Sequence, residues 1–162
     1  MLTEKDYCDY ETCVVLKELG FSEPTLAYYH GFLPSKPLLY LIIDEDCMPE
    51  DGVNVFDLLS NSNKYKDSKN IDAPTLWEVQ KWLREEKGLF VNVELFGDYD
   101  RDADGKTLGT WVYYSYGILN TKTADFIREY DLCTEYQTYE EALSEGIKEA
   151  VKILKEDETI HE

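Results

Sequence analysis

Apolar positions along the chain recur at two spacings, one of three and four residues and one of two, with short polar breaks between the segments they mark. The first helical spacing runs from Asp9 to Leu19. Cys13, Leu16 and Leu19 share one face with Val15 beside it, Asp9 stands where a cap belongs, and Gly20 ends the run. Phe21 is positioned to fold back onto the last turn. Leu26 to Phe32 and Leu38 to Ile43 then read as strands, with Pro34-Ser35-Lys36-Pro37 turning between them. The second is apolar throughout, which predicts a place in the middle of a sheet. Val53 to Leu59 reads as a short strand or a turn of helix, and Ser60 to Ile71, rich in Asn, Ser, Lys and Asp, as an exposed loop.

The second half is more sharply patterned. Thr75 followed by Glu78 is a capping box, Pro74 holds the incoming chain out of helical conformation, and Gly88 offers a left-handed stop. The helix between them, Thr75 to Lys87, carries Leu76, Val79 and Leu83 on one face, with Trp82 next to Val79 and Trp77 off the stripe. Leu89 to Phe96 alternates as a strand with Leu89, Val91, Val93 and Leu95 on one side; Thr110 to Leu119 is its partner, and the Gly- and Asp-rich segment between them reads as a long hairpin tip. Asp125 to Tyr130 supplies a further strand, with Leu132 to Tyr136 leading on. Thr138 and Glu141 repeat the capping box before a helix striped by Leu143, Ile147, Ala150, Val151 and Leu154. Glu140 and Glu141 suit its positive end, Lys152 and Lys155 its negative end. The expected fold is a single α+β domain over residues 1–155, an antiparallel sheet of about five strands with three helices mainly on one face, followed by a polar tail over 156–162.

From Thr75 onward the order is helix, three strands, helix. That order resembles double-stranded RNA-binding domains, which need lysines at the second helix and the loop before it. Here that helix begins Tyr139-Glu140-Glu141, so the RNA chemistry is absent. A second resemblance rests on Glu11 to Phe21, on Ala73-Pro74-Thr75-Leu76-Trp77-Glu78-Val79-Gln80-Lys81-Trp82-Leu83-Arg84-Glu85, and on Tyr139-Glu140-Glu141-Ala142-Leu143 before Gly146-Ile147-Lys148-Glu149-Ala150. In these helices the chain resembles a group of small uncharacterised bacterial and phage-type proteins. The resemblance implies origin in a phage, prophage or mobile element, and no activity.

Charge changes the picture most. Against 34 acidic residues stand 16 basic ones, a formal net charge of −18. Such a surface repels phosphate backbones and anionic lipid, so neither nucleic acid nor membrane is an expected partner; a basic protein or cations are. Four cysteines, Cys8, Cys13, Cys47 and Cys133, show no paired spacing for zinc. The first residues carry neither a basic run nor an apolar one, as expected of a cytoplasmic protein with reduced thiols.

Three constellations carry candidate chemistry. Asp100-Arg101-Asp102-Ala103-Asp104-Gly105 matches the first half of a calcium-binding loop, but Trp111 occupies the twelfth position, where a bidentate Glu should close the shell. The expectation is a solvated hairpin tip and no cofactor, with calcium on Asp100, Asp102 and Asp104 as the alternative. His30, flanked by Tyr28 and Tyr29, is the histidine outside the tail on which any Ser-His-Asp or Cys-His chemistry would have to rest, and its neighbours form no nucleophile turn. Tyr28, Tyr29, Tyr113, Tyr114 and Tyr116 are placed to line a ligand or partner face, although alternation sends some of these rings into the core. No catalytic set is expected. The leading expectation is an acidic, non-enzymatic interaction protein engaging a basic partner; the alternative is a small-molecule binder or enzyme with a tyrosine-lined pocket near His30. Oligomeric state is not written in the sequence.

Overall fold

The computed structural model describes residues 3–30, 39–41 and 70–160. Outside them lie the expected turn at Pro34 to Pro37, the acidic run Asp44 to Asp51, the segment Val53 to Leu59, most of the Ser60 to Ile71 loop, Cys47 and His161, together with the side chains of His30 and Tyr40. The chain divides into two compact units, Met1–Glu78 and Val79–Glu162.

In the first unit, helix α1 (Tyr10–Glu18) starts on Asp9, whose carboxylate accepts the Thr12 N–H at 2.9 Å. Gly20 takes a φ of 87°, and the Phe21 N–H reaches back to the Leu16 carbonyl at 2.9 Å. This left-handed stop turns Phe21 inward, as expected, and Cys13, Leu16 and Leu19 are buried. Strands β1 (Ala27–His30), β2 (Leu39–Leu41) and β3 (Asn70–Asp72) form an antiparallel sheet in the order β2-β1-β3. Two expectations are corrected here. Among the described residues the apolar strand β2 lies at an edge and β1 in the middle, because both neighbours pair with β1: Tyr29 stands opposite Leu39 on one side and Ile71 on the other. The last two residues of the expected loop, Asn70 and Ile71, belong with Asp72 to a strand; three residues are too few to show alternation, and only its pairing defines it.

Helix α2 (Leu76–Trp82) begins as the capping box requires. Glu78 accepts the Thr75 N–H at 2.7 Å, and Thr75 Oγ1 accepts the Glu78 N–H at 3.3 Å. The division between the units falls inside this helix. Leu76, Val79, Trp82 and Leu83 are all buried. The sequence predicts α-helix up to Lys87; instead Leu83–Lys87 is a π-helical turn ended by Gly88 at φ 72°. The wider turn aligns residues five apart, and the Lys87 ammonium sits 5.0 Å over the Trp82 ring.

In the second unit, strands β4 (Leu89–Arg101), β5 (Thr107–Asn120) and β6 (Phe126–Arg128) form a second antiparallel sheet in that order. The α+β class therefore holds, but among the described residues the strands fall in two three-stranded antiparallel sheets rather than in one. A strand's own pattern shows which face is buried, not which strand lies beside it. Helix α3 (Tyr139–Ile160) packs on β4 and β5 and runs past Lys155 into the segment expected as a tail. Its Thr138 Oγ1 accepts the Glu141 N–H at 3.2 Å, and Glu141 reaches back to the Gln137 N–H at 3.2 Å. Leu143, Ile147 and Ala150 have no exposed surface. No helix among the described residues is long and apolar enough to cross a membrane.

Candidate interaction surface

The hairpin β4–β5 is longer than its sequence predicts. Pairing continues through Asp98–Trp111, Tyr99–Thr110 and Asp100–Gly109, so the segment expected as loop is largely strand. Only Asp102 to Lys106 turns. The Asp102 carboxylate accepts the N–H groups of Asp104 at 3.0 Å and Lys106 at 2.8 Å, and the Gly105 N–H donates to the Asp102 carbonyl at 3.0 Å with φ 81°. The aspartate that alternate spacing offered to a cation thus binds backbone amides of its own turn. Among the described residues no three acidic, histidine or cysteine side chains are grouped to hold a metal.

The root of this hairpin is covered on both faces. On one, α3 lies against Val91 and Tyr116, and Tyr114 meets Tyr139 edge to face at 6.1 Å. On the other, the chain from Phe126 to Tyr136 returns along β5. Phe96 stacks on Tyr113 at 5.8 Å and meets Tyr130 at 5.4 Å, and the Ser115 hydroxyl donates to the Asp131 carbonyl at 3.0 Å. Asn92 donates to the Tyr130 hydroxyl, which also bonds Glu94; burial first, then that carboxylate, pushes the Tyr130 phenol up to about 12.

Past this cover the arm is bare. Period-2 geometry puts Val91, Val93, Leu95 and Tyr99 on the face that α3 occupies, with Val112 beside them on β5. Val91 has no exposed surface, yet Leu95 is 58% exposed, Tyr99 50% and Val112 65%. The core face simply outruns the helix. On the opposite face Trp111 donates its indole N–H to Glu135 at 3.3 Å and remains partly exposed; Leu108 is exposed near the tip. From Glu94 to Lys106 the arm carries the carboxylates Glu94, Asp98, Asp100, Asp102 and Asp104, with Arg101 and Lys106 as the only bases. The Arg101 guanidinium lies 4.5 Å over the Tyr99 ring.

The tyrosines of β5 singled out from sequence do not share this surface. Tyr113 is buried on one face of β5, while Tyr114 and Tyr116 are half-buried on the other, Tyr116 against Tyr136 at 6.0 Å. Burial, followed by the neighbouring Tyr136 and Glu149, pushes the Tyr116 phenol up to about 12. Tyr28, Tyr29 and His30 belong to β1 in the first unit. Tyr29 is buried, donates to the Cys8 carbonyl at 2.8 Å and meets Tyr10 edge to face at 5.7 Å; burial and the nearby Cys13 raise its phenol. Tyr28 is half-buried, and the His30 side chain lies outside the described residues. Leu95, Tyr99, Leu108, Trp111 and Val112 were not legible as a surface. Their signal was present in the apolar and aromatic positions continuing on both sides of the aspartates. Comparison with protein-family models, curated proteins and solved structures found no significant match to this chain.

Proposed function

We propose that this chain is an acidic interaction protein, of the phage or mobile-element type its helices resemble, that engages a basic protein partner through the distal half of the β4–β5 arm. One observation carries the reading: the arm extends its apolar core face beyond α3 and exposes Leu95, Tyr99 and Val112, while Glu94, Asp98 and Asp100 stand on the other face of the same strand. Exposed apolar side chains grouped beside polar ones mark association surfaces. The two components have separate roles. The charge is screened beyond a Debye length of about 8 Å at physiological salt, so it chiefly steers encounter and selects partner sign. Affinity comes from burying apolar side chains, each contributing roughly 1.5–3 kcal/mol when fully covered.

The test separates these roles. Proteins captured from cell extract on the immobilised chain should be basic and should elute as salt rises. Val112→Asp adds negative charge but spoils the apolar patch, and should lose them; Lys17→Ala, far along the sequence on α1, should retain them. Equal capture by Val112→Asp, or retention insensitive to salt, would refute the reading.

A further inference from the structure

In an antiparallel ladder, alternate residues turn both backbone groups toward the partner strand and those between turn them away. Two contacts establish the phase along β4. The Val91 carbonyl accepts the Gln80 Nε2–H at 2.7 Å, a bond made on the side away from β5. Tyr114 exchanges both backbone hydrogen bonds with Tyr136 on the far side of β5, at 2.9 and 3.1 Å, and it stands opposite Leu95. Val91, Val93, Leu95, Gly97 and Tyr99 therefore turn N–H and C=O outward. Both ends of this row are closed by side chains: Gln80 on the Val91 carbonyl, and Asp98, whose carboxylate accepts the Tyr99 N–H at 2.7 Å. Between them, Val93, Leu95 and Gly97 present their backbone groups on an edge that no strand among the described residues covers.

We propose that this gap is a strand-addition site, and that its occupant is an extended segment of the basic partner, with Lys or Arg at alternate positions beside Glu94 and Asp98 and apolar residues between them. The proposal rests on the reading given under Proposed function and supplies its mode of contact. Edge backbone gives an incoming strand its hydrogen bonds, and alternate side chains give it specificity. Glu94 and Asp98 lie on one face of β4, while Leu95 lies on the other beside Val112, so a segment alternating basic and apolar residues meets both faces at once. A second copy of this chain fits worse. Pairing β4 with itself about Phe96 sets Glu94 opposite Asp98, and pairing about Gly97 sets it opposite Asp100, and like charges directly opposite destabilise a sheet; pairing about Leu95 sets Glu94 opposite Phe96 and Asp98 opposite Asn92, which gives neither carboxylate a base.

The probe is a short peptide alternating lysine and valine, with a glutamate–valine peptide of equal length as its counterpart, each added to isotope-labelled protein. Amide exchange at Val93, Leu95 and Gly97 should slow by about tenfold or more with the lysine peptide and stay unchanged with the glutamate peptide. Leu95→Pro removes an outward N–H while leaving the β5 ladder intact, and should weaken binding by about tenfold or more. The lysine peptide N-methylated at its valines and, separately, at its lysines applies the same test to the unaltered protein, since one of the two sets turns its N–H groups to the edge. Undiminished binding by both methylated peptides overturns the proposal. Lysine-peptide binding that shifts only the Tyr99 and Val112 side chains, without slowing the edge amides, refutes strand addition and leaves the basic-partner reading standing. No binding of either kind at low salt sinks both.

Discussion

Gly146 lies about a third of the way along α3, where the helix meets the sheet. A methyl group there would stand 2.4 Å from Val91 Cγ1 and 3.0 Å and 3.1 Å from Tyr116 Cγ and Cδ2. Gly146→Ala sets two effects against each other. Alanine is favoured over glycine inside a helix by about 1 kcal/mol. Carbon atoms, however, settle at roughly 3.5–4.0 Å, so the methyl requires Val91 or the helix to retreat by about 1 Å. Val91 is fully buried, Tyr116 is half-buried against Tyr136, and the neighbouring Leu143, Ile147 and Ala150 would lose contact as the helix lifted. Overpacking of this kind costs roughly 1–3 kcal/mol, and a contact this short belongs at the upper end. The expected result is net destabilisation of about 1–2 kcal/mol, opposite in sign to the same change on an exposed helix face. Urea unfolding should show a lower midpoint at unchanged slope. Val91→Ala, destabilising alone, should cost less in the Gly146→Ala background, with a coupling on the order of 1 kcal/mol. A Gly146→Ala protein as stable as the parent, or an additive cycle, would refute the claim that close approach selects glycine here.

Gln80→Leu should cost roughly 1–3 kcal/mol in urea unfolding, because it leaves the Val91 carbonyl without the side-chain donor that now reaches it inside the protein. A change within about 0.5 kcal/mol would show that water replaces the amide. The phenols of Tyr116 and Tyr130 are both raised to about 12, so the neutral forms are the ones the fold favours. Their contribution to stability is complete below the ordinary tyrosine range near pH 10 and is lost as pH rises toward about 12. Ultraviolet titration should show late-ionising tyrosines, reduced in number in Tyr130→Phe; a single transition at the ordinary value would contradict this. Finally, alkylation under native conditions should modify Cys133, which is exposed, long before Cys8 and Cys13, which are buried. Burial, reinforced by Asp9 and Asp72, also raises the Cys13 thiol above its ordinary range and so suppresses thiolate. Peptide mapping that finds Cys13 modified as fast as Cys133 would show that the first unit opens readily.

Legibility followed the range of the interactions. The caps on Asp9, Thr75 and Thr138, the stop at Gly20 and the buried stripes of α1 and α3 were readable because each depends on residues within about one helical turn. The helix–three strands–helix order after Thr75 was readable for the same reason, since each element carries its own period. The π-helical turn at Leu83 to Lys87 was not, because its residues pattern as ordinary helix.

For the candidate surface the division is sharper. By itself the sequence determined that the protein is strongly acidic, that Leu95 shares a face with Val91, and that Asp98, Asp100 and Asp102 cluster near a turn. The turn's Asp102 and Gly105 do their work within a few residues, so their chemistry was local. Only the tertiary structure decided that α3, whose first residue Tyr139 meets Tyr114, covers the arm no further, leaving Leu95, Tyr99 and Val112 exposed, and that Tyr113, Tyr114 and Tyr116 are consumed in packing. It also decided that β4 lies at a sheet edge among the described residues, closed at one end by a glutamine from the preceding helix. Whether an apolar side chain is core or surface depends on what covers it, and the covering element is set by long-range pairing that no local period encodes.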